Sequence, residues 1–338
     1  MARRLGWRRL GSRGRFRYVD ARGRPIADEE ALERIESLRI PPAWRDVRIS
    51  AGPYAKLQAT GYDSAGRMQY LYHADFRARQ EQAKFDKLIR FAEKLPDLRA
   101  AMAEHMEVEP LEPEWTAALA VRLINLGWFR VGDERYAKKF RTFGITTLRK
   151  SHVTVRGSRI TFCFRAKHRA LIRTALVDDE LAEAMRELKS LKGGRVLFRY
   201  RNGTGVCNLT GKRLNDYIQE YMGEEFTAKD FRTWGGTLMA AIALGEHGVA
   251  ETETESKRVI ASVMRGVGER LGNTPAVARA SYVSPAVIDQ YLDGRTVDDF
   301  RPRHLRVVGA RDVGLDAEEQ AVLALLRSHR IRRARKAA

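Results

Sequence analysis

In the stretch KFDKLIRFA the apolar residues fall at Phe85, Leu88, Ile89 and Ala92, an i, i+3, i+4, i+7 spacing that keeps them on one side of a helix. That periodicity predicts a helix from Arg77 to about Met106. Upstream the pattern changes to alternation. RFRYVDARGRPI reads as a hairpin closed at DARGR, PPAWRDVRIS as a strand, and LQATGYDSAGRMQYLYH as two alternating runs around a Gly/Asp/Ser/Gly turn. Between them DEEALERIESLRI is an amphipathic helix with an acidic first turn, which suits the positive end of the helix dipole.

Downstream the period is mostly helical. EPEWTAALAVRLINLGWFRVGDERYAKKF is a helix, a Gly-Trp break and a second helix. Further helices are predicted at DDELAEAMRELKSLK, TGKRLNDYIQEYM, TAKDFRTWGGTLMAAIALGE, ESKRVIASVMRGVGERLG and SPAVIDQYLDG. HVTVRGSRITFCF interrupts them as a short hairpin whose far end delivers RAKHR. The expected class is α+β: a small β-rich domain over residues 1–82, with a break near Gln82, and a larger, mainly α-helical domain over 83–338 that contains a short β-hairpin sheet and ends in the basic tail RSHRIRRARKAA. No internal repeat is visible.

Composition narrows the partner. The chain of 338 residues carries 62 Lys+Arg against 43 Asp+Glu, a formal charge of +19. Such a surplus points to a polyanion held through phosphate contacts, with nucleic acid ahead of an anionic membrane. No run of about 18 apolar residues suggests a membrane span, and the basic start lacks the apolar core of a signal peptide. A soluble, cytoplasmic, nucleoid-associated protein is expected. Cys163 and Cys207 lie far apart without a partner motif, so they read as buried thiols in a reducing compartment, not as a disulfide or zinc pair.

The chain has no GxxxxGK[ST], HExxH, G-x-S-x-G or GxGxxG motif, so no nucleotide cofactor, zinc or nicotinamide is announced. The acidic pairs Asp178-Asp179 and Asp298-Asp299 read as solvated helix starts, not as a two-metal site, because neighbours on a helix do not share a face.

Metal-free chemistry at a phosphodiester needs a nucleophile, cationic donors for the non-bridging oxygens and an acid for the leaving oxygen. Arg130 follows the Gly-Trp-Phe break, where its guanidinium can leave the helical pack and bind phosphate. Arg232 opens an apolar helix, whose free N–H groups are expected to add to an anion site. Lys167 sits at a hairpin tip, and Asn273 in GNTP offers an uncharged N–H donor. Tyr282 precedes Ser284-Pro285, a good N-cap with proline at the first helical position, so it lies outside that helix. Tyr291, by contrast, joins Val287, Ile288 and Leu292 on an apolar stripe and reads as core.

Taken together, RIPPAW, GYDSAGRMQYLYH, RVGDERY, TFGITTLRKSHV, KDFRTWGG and GNTPAVARASY, in this order, resemble the type IB DNA topoisomerases of the poxvirus-like group in their bacterial form. The resemblance covers most of the chain. It implies that Tyr282 attacks a DNA phosphodiester, that Arg130 and Arg232 hold the scissile phosphate, and that Lys167 protonates the departing 5′-oxygen. Asn273 stands where many relatives carry histidine. It further implies relaxation of supercoils of either sign by a monomer acting on duplex DNA, with no metal and no cofactor.

Arg67, Gln69, Tyr70 and Tyr72 match residues of the amino-terminal domain that touch bases and backbone, and Tyr136 and Lys229 resemble phosphate-side contacts of the larger domain. For Tyr70 and Tyr72 the alternative is a hairpin whose aromatics are core. Asp133 and His168 depart from the poxvirus pattern, where a basic residue and an aspartate stand. A tyrosine recombinase shares the same logic, but the window around Arg232 reads Lys229, Asp230, Phe231, Arg232 and lacks its HxxR box. A noncatalytic DNA-binding clamp is supported by charge alone.

Overall fold

The computed structural model describes residues 6–12, 15–203, 205–301 and 313–337. The chain divides into two compact units, residues 1–84 and 85–338. The division after Lys84 falls inside a helix, two residues beyond the Gln82 break expected from the sequence.

The first unit is a five-stranded antiparallel sheet built from β1 (Trp7–Leu10), β2 (Arg17–Val19), β3 (Arg45–Ile49), β4 (Leu57–Tyr62) and β5 (Met68–Tyr72), in the order β2-β1-β3-β4-β5. Helix α1 (Glu29–Ser37) contributes Ile35 to the small core, where it meets Val47, Ile49 and Ala59 on one face of the sheet. Its start is where the sequence puts it: the Asp28 side chain accepts from the Ala31 amide, with Glu29 and Glu30 in the first turn. Asp63 closes the β4–β5 hairpin by accepting from the Ala65 and Arg67 amides at 2.9 Å.

One strand pairs otherwise than expected. The turn at DARGR forms as expected, with the Asp20 amide bonding to the Arg24 carbonyl at 2.8 Å and the Ile26 amide to the Tyr18 carbonyl at 3.0 Å, but the returning segment makes only the bridge between Val19 and Pro25, and β2 makes its ladder with β1, through Arg8 opposite Val19 and Leu10 opposite Arg17. Buried Arg9 secures this corner by donating to the carbonyls of Ile40, Pro41 and Trp44.

Helix α2 (Ala74–Met106) leads into the second unit, which is mainly helical: α3 (Pro113–Gly127), α4 (Glu134–Phe140), α5 (Asp179–Ser190), α6 (Gly211–Met222), α7 (Ala228–His247), α8 (Glu253–Leu271), α9 (Pro275–Ser281), α10 (Pro285–Leu292) and α11 (Ala317–Ala337). Helix α3 is buried at every position from Trp115 to Val121, which makes it the axis of the core. Phe91 packs edge-on against Phe226 and Phe231, joining α2 to the start of α7.

The expected hairpin is larger than its sequence suggests. β6 (Val153–Arg156) and β7 (Arg159–Arg165) gain a third strand, β8 (Leu171–Val177), giving the order β6-β7-β8, and β9 (Arg199–Asn202) pairs separately with β10 (Gly205–Asn208). Along β7 the residues Ile160, Phe162 and Phe164 point inward, and this alternation turns Cys163 outward. Cys163 is exposed and Cys207 half-buried, so the expectation of two buried thiols is corrected. Tyr291 is core, as its stripe predicts.

The basic tail is the second half of α11. Its first half is anchored by Glu319, which is buried, takes two bonds from Arg99 at 2.7 and 2.8 Å and accepts from the Trp234 indole at 3.2 Å. Further along, Arg327 pairs with Glu93, His329 with Asp289 and Arg332 with Asp293. No helix among the described residues is long and apolar enough to cross a membrane.

Candidate active site

The site begins at the end of α3. Trp128 takes a left-handed conformation, φ 51°, and its amide bonds back to Ile124, so the helix stops and the chain turns. The indole needs room that α7 supplies through Gly235, where a Cβ would stand 2.2 Å from the ring nitrogen. Two residues later the Arg130 carbonyl accepts from the Ile145 amide at 2.8 Å, and a Cβ on Gly144 would approach that carbonyl to 2.4 Å. Paired glycines at 132 and 144 thus let two backbone segments cross directly behind Arg130.

In front of that crossing the Arg130 guanidinium donates from Nη2 to the Gly272 carbonyl at 3.1 Å and to Asn273 Oδ1 at 2.7 Å. Gly272 has φ 62° and closes α8; the Asn273 amide then bonds to the Gly268 carbonyl at 2.8 Å. Thr274 caps α9, with Pro275 in its first turn, so a single short helix separates Asn273 at one end from Tyr282 at the other. Since Oδ1 is engaged by Arg130, the amide nitrogen is the group Asn273 has to offer; its one bond to a described residue is a long one, 3.4 Å, to the Leu271 carbonyl.

Arg232 is 5% exposed. Its Nη1 donates to the Trp128 carbonyl at 2.6 Å, its Nη2 to the Leu271 carbonyl at 2.8 Å, and its Nε has no partner among the described residues. It lies over Tyr282, with Cζ 4.9 Å from the ring centre. Burial, reinforced by the charge of Arg130, pushes its pKa down to about 10. Arg130 is shifted down as well, by burial against the opposing pull of Tyr282.

Burial by itself would raise the Tyr282 pKa, but Arg232, then Arg130 and Lys229, outweigh it and hold the phenol below its ordinary value. The backbone of Tyr282 is fixed from α7. A Cβ on Gly236 would come within 2.6 Å of its carbonyl, and the buried Thr237 hydroxyl donates to that carbonyl at 3.3 Å while accepting from the Ser284 amide at 3.1 Å.

Two expectations change in detail. Arg232 does not open its helix: it stands in the second turn of α7, and the first amides are already taken, Thr227 N by Asp230 and Ala228 N by Asn215. Those two amides are not free to add to an anion site, and Arg232 brings its buried guanidinium instead. Tyr282 lies before the cap of α10 as expected, but it is also the C-cap of α9, a helix the sequence did not announce.

Lys167 occupies the turn between β7 and β8, where His168 and Arg169 both have φ 60°. It is exposed, and its side chain makes no hydrogen bond or ion pair with a described residue. The same turn reaches the other candidates through Gly272, whose Cβ would lie 3.3 Å from Ile172, 3.5 Å from Arg130 Nη1 and 4.0 Å from Ala170. Arg130, Arg232, Asn273 and Tyr282 are therefore assembled, while Lys167 stands at the rim without touching them.

Lys229, exposed in the first turn of α7, acts on Tyr282 through its charge. Tyr136 is 40% exposed on α4 beside Phe140. Asp133 caps α4, accepting from the Arg135 amide at 2.8 Å and the Tyr136 amide at 3.3 Å, which gives the departure at this position a local structural reason.

In the first unit Tyr70 and Tyr72 are exposed and stack with ring centres 6.3 Å apart, which excludes the core alternative for both. Gln69 alternates to the other face of β5, and its amide donates to Asp63 at 2.9 Å, the carboxylate that also pairs with Arg67. Trp128, Gly235, Gly236, Thr237 and Gly272 were not singled out from the sequence. The signal available was the glycine pair inside TWGGT, since each helix-interior glycine costs about 1 kcal/mol and is tolerated where backbones must meet closely. Among the described residues no group of His, Cys, Asp and Glu could hold a metal.

Comparison with known proteins gives this arrangement its class. Residues 73–294 match the family described as eukaryotic DNA topoisomerase I, catalytic core, and residues 15–63 match the bacterial DNA topoisomerase IB N-terminal domain. DNA topoisomerase 1B of Acanthamoeba polyphaga mimivirus is 33% identical over 268 residues, covering 77% of this chain and 80% of the relative. DNA topoisomerase I of monkeypox virus and DNA topoisomerase 1B of vaccinia virus (strain Copenhagen) are each 20% identical over 286 residues, 81% of this chain and 86% of theirs. By class, then, the protein is an enzyme that breaks and rejoins DNA strands. It belongs to the type IB DNA topoisomerase family, with an amino-terminal domain of the bacterial kind.

Proposed function

We propose that the chain relaxes positive and negative supercoils through a transient break in one strand of duplex DNA, acting as a monomer. Tyr282 Oη attacks the phosphorus, and the P–O bond to the 5′-oxygen breaks as the new P–O bond to tyrosine forms. The phenolic proton is lost to solvent, and the departing 5′-oxygen receives a proton from Lys167. The 3′ end is then held as a phosphotyrosine and the other end is a free 5′-hydroxyl. Arg130 and Arg232 donate to the non-bridging oxygens, where negative charge builds up, and the Asn273 amide adds a neutral donor.

Because one phosphodiester is exchanged for another, rejoining is the same step in reverse and draws on no ATP. The free strand swivels between the two steps. Arg67, Gln69, Tyr70 and Tyr72 on one unit, and Tyr136 and Lys229 on the other, serve as the duplex contacts.

The observation that carries this reading is the placement of Tyr282 under the buried Arg232, with its phenol held below the ordinary value by Arg232, Arg130 and Lys229. Supercoiled plasmid incubated with EDTA and without ATP is expected to relax, and denaturing gels of trapped reactions to show a protein–DNA adduct that Tyr282→Phe abolishes. Relaxation that survives Tyr282→Phe, or that leaves no such adduct, overturns the proposal; a tyrosine recombinase would act only at its own site.

A further inference from the structure

The first unit has a sheet with one face under α1, and the register of its strands says what the other face carries. Arg8 lies opposite Arg48, Arg48 opposite Thr60, and Thr60 opposite Tyr70, a cross-strand row running from β1 to β5. The register of β3 shifts between Arg48 and Arg45, and past that bulge a second row sets Arg45 opposite Tyr62 and Tyr62 opposite Met68, so Arg45 regains the face of Arg48; on β5 Tyr72 continues this face on the other side of Tyr70. Paired residues share a face, and residues one step along a strand take the other. Val47, Ile49 and Ala59 therefore belong to the covered side.

Neither row contains a carboxylate, and Asp46, exposed in the bulge between Arg45 and Arg48, makes no ion pair with either of them. Arg8, Arg45 and Arg48 are exposed, and none makes a side-chain hydrogen bond or ion pair with a described residue. Elsewhere in the same unit arginines have found partners: Arg24 pairs with Asp20, and Arg67 with Asp63. The aromatic residues of this face, Tyr62, Tyr70 and Tyr72, are also exposed, between 37% and 54%. Arginines without counter-ions next to exposed tyrosines on a single sheet face are a surface made for a polyanion with flat apolar groups.

Geometry favours duplex DNA. Strands stand ~5 Å apart, which puts Arg48 ~10 Å and Arg8 ~14 Å across the sheet from Tyr70. The major groove is about 12 Å wide, so a duplex whose base edges meet Tyr70 presents a phosphate backbone to Arg48 and Arg8. We infer that Arg8, Arg45 and Arg48 form a phosphate-binding rail on the open face of the amino-terminal sheet, with Tyr62 extending the tyrosine strip. This inference rests on duplex DNA being the substrate, as proposed above, and adds residues that proposal does not use.

The test is a salt titration of duplex binding by the full chain, using a fluorescent duplex of mixed sequence. For Arg48→Ala, and for Arg8, Arg45 and Arg48 all replaced by Ala, the slope of log K against log salt should fall by about 0.9 for each phosphate the variant no longer neutralises. Arg39→Ala, a charge removed from the loop after α1, should leave the slope unchanged. A triple variant that melts like the wild type and binds with its slope, or whose slope falls no further per charge than that of Arg39→Ala, overturns the rail. Adduct formation through Tyr282 is scored separately at low salt: if it persists while the slopes do not move, the rail alone fails, and if wild type forms no adduct the catalytic proposal fails with it.

Discussion

Arg232 lies with its guanidinium carbon 4.9 Å from the centre of the Tyr282 ring, buried to 5% exposure and bonded on its far side to the carbonyls of Trp128 and Leu271. Those bonds aim the cation, and they cannot follow a shift of the phenol. In the proposed mechanism the arginine is already in place to stabilise the charge as Tyr282 ionises, and it stays in place when the tyrosine oxygen joins the phosphate ester.

A pH profile follows from this pairing. The Tyr282 pKa is held down against burial chiefly by Arg232, so single-turnover adduct formation should rise with pH below the ordinary tyrosine value near 10. It should fall again as Arg232 deprotonates at about 10. Arg232→Ala removes the leading cause of the depression and leaves the burial. Its profile should move to higher pH and its maximum drop by about 10²–10³-fold, the usual loss of a transition-state donor. Rapid-quench assays across the alkaline range read both effects, and an unmoved profile in Arg232→Ala would assign the tyrosine's activation elsewhere.

Thr237 tests how the nucleophile is held. Its hydroxyl bridges the Tyr282 carbonyl and the Ser284 amide in a fully buried place, so Thr237→Val leaves an N–H and a C=O short of a partner and should cost about 1–3 kcal/mol of stability. It should also slow adduct formation without weakening duplex binding. Thr237→Ser keeps the hydroxyl and should recover most of the rate, which a loss of volume alone would not allow. Thermal melts paired with single-turnover rates separate the two effects.

Gly236→Ala makes a sharper demand. The added methyl would stand 2.6 Å from the Tyr282 carbonyl and 3.0 Å from its Cβ, so helix α7 or the tyrosine must move. Near-attack geometry is lost with shifts of about 1 Å, and a drop in adduct formation of about 10²-fold is expected with duplex affinity retained. Equal rates in Gly236→Ala and wild type would show that the tyrosine is not held by this close approach.

Much of this was legible in the sequence, for local reasons. Asp28 sits before its helix as a cap, the turn at Asp63 separates two alternating runs, and Ser284-Pro285 separates Tyr282 from α10. What was hidden depends on distant partners. β8 has no fully buried residue, with Leu171 and Val177 open to solvent and Ile172 and Leu176 only partly covered by the core, and it is held as a strand by pairing along its length with β7. The helix start near Arg232 looked free until Asn215 and Asp230 filled it, and Glu319 finds Arg99 and Trp234 only through the tertiary fold. Arg130, Arg232, Asn273 and Tyr282, which the fold brings together, were picked out as a set only through family resemblance, whereas the glycines that let them meet carried only the weak signal of an unfavourable helix residue.

By its family resemblance Asn273 stands where histidine is expected, and the structure shows what a replacement must respect. Arg130 occupies Oδ1 at 2.7 Å, which leaves the amide N–H₂ as the group that, in the proposed mechanism, donates to a non-bridging oxygen. Asn273→Ala removes that donor and releases the Arg130 guanidinium, so a loss of adduct formation of about 10²-fold is expected. Asn273→Asp keeps a partner for Arg130 but sets a carboxylate against the phosphate and should be slower than the alanine variant. Asn273→His restores a ring N–H and should recover activity, and with an ordinary imidazole pKa near 6.5 it introduces a titration between about pH 5 and 7 that the wild type lacks. The neighbouring Arg130 and Arg232 cations disfavour the protonated ring, which moves that titration to the acid side of about 6.5. A His variant whose rate does not change across that range would mean that the imidazole does not reach the phosphate, and that the asparagine serves only to hold Arg130.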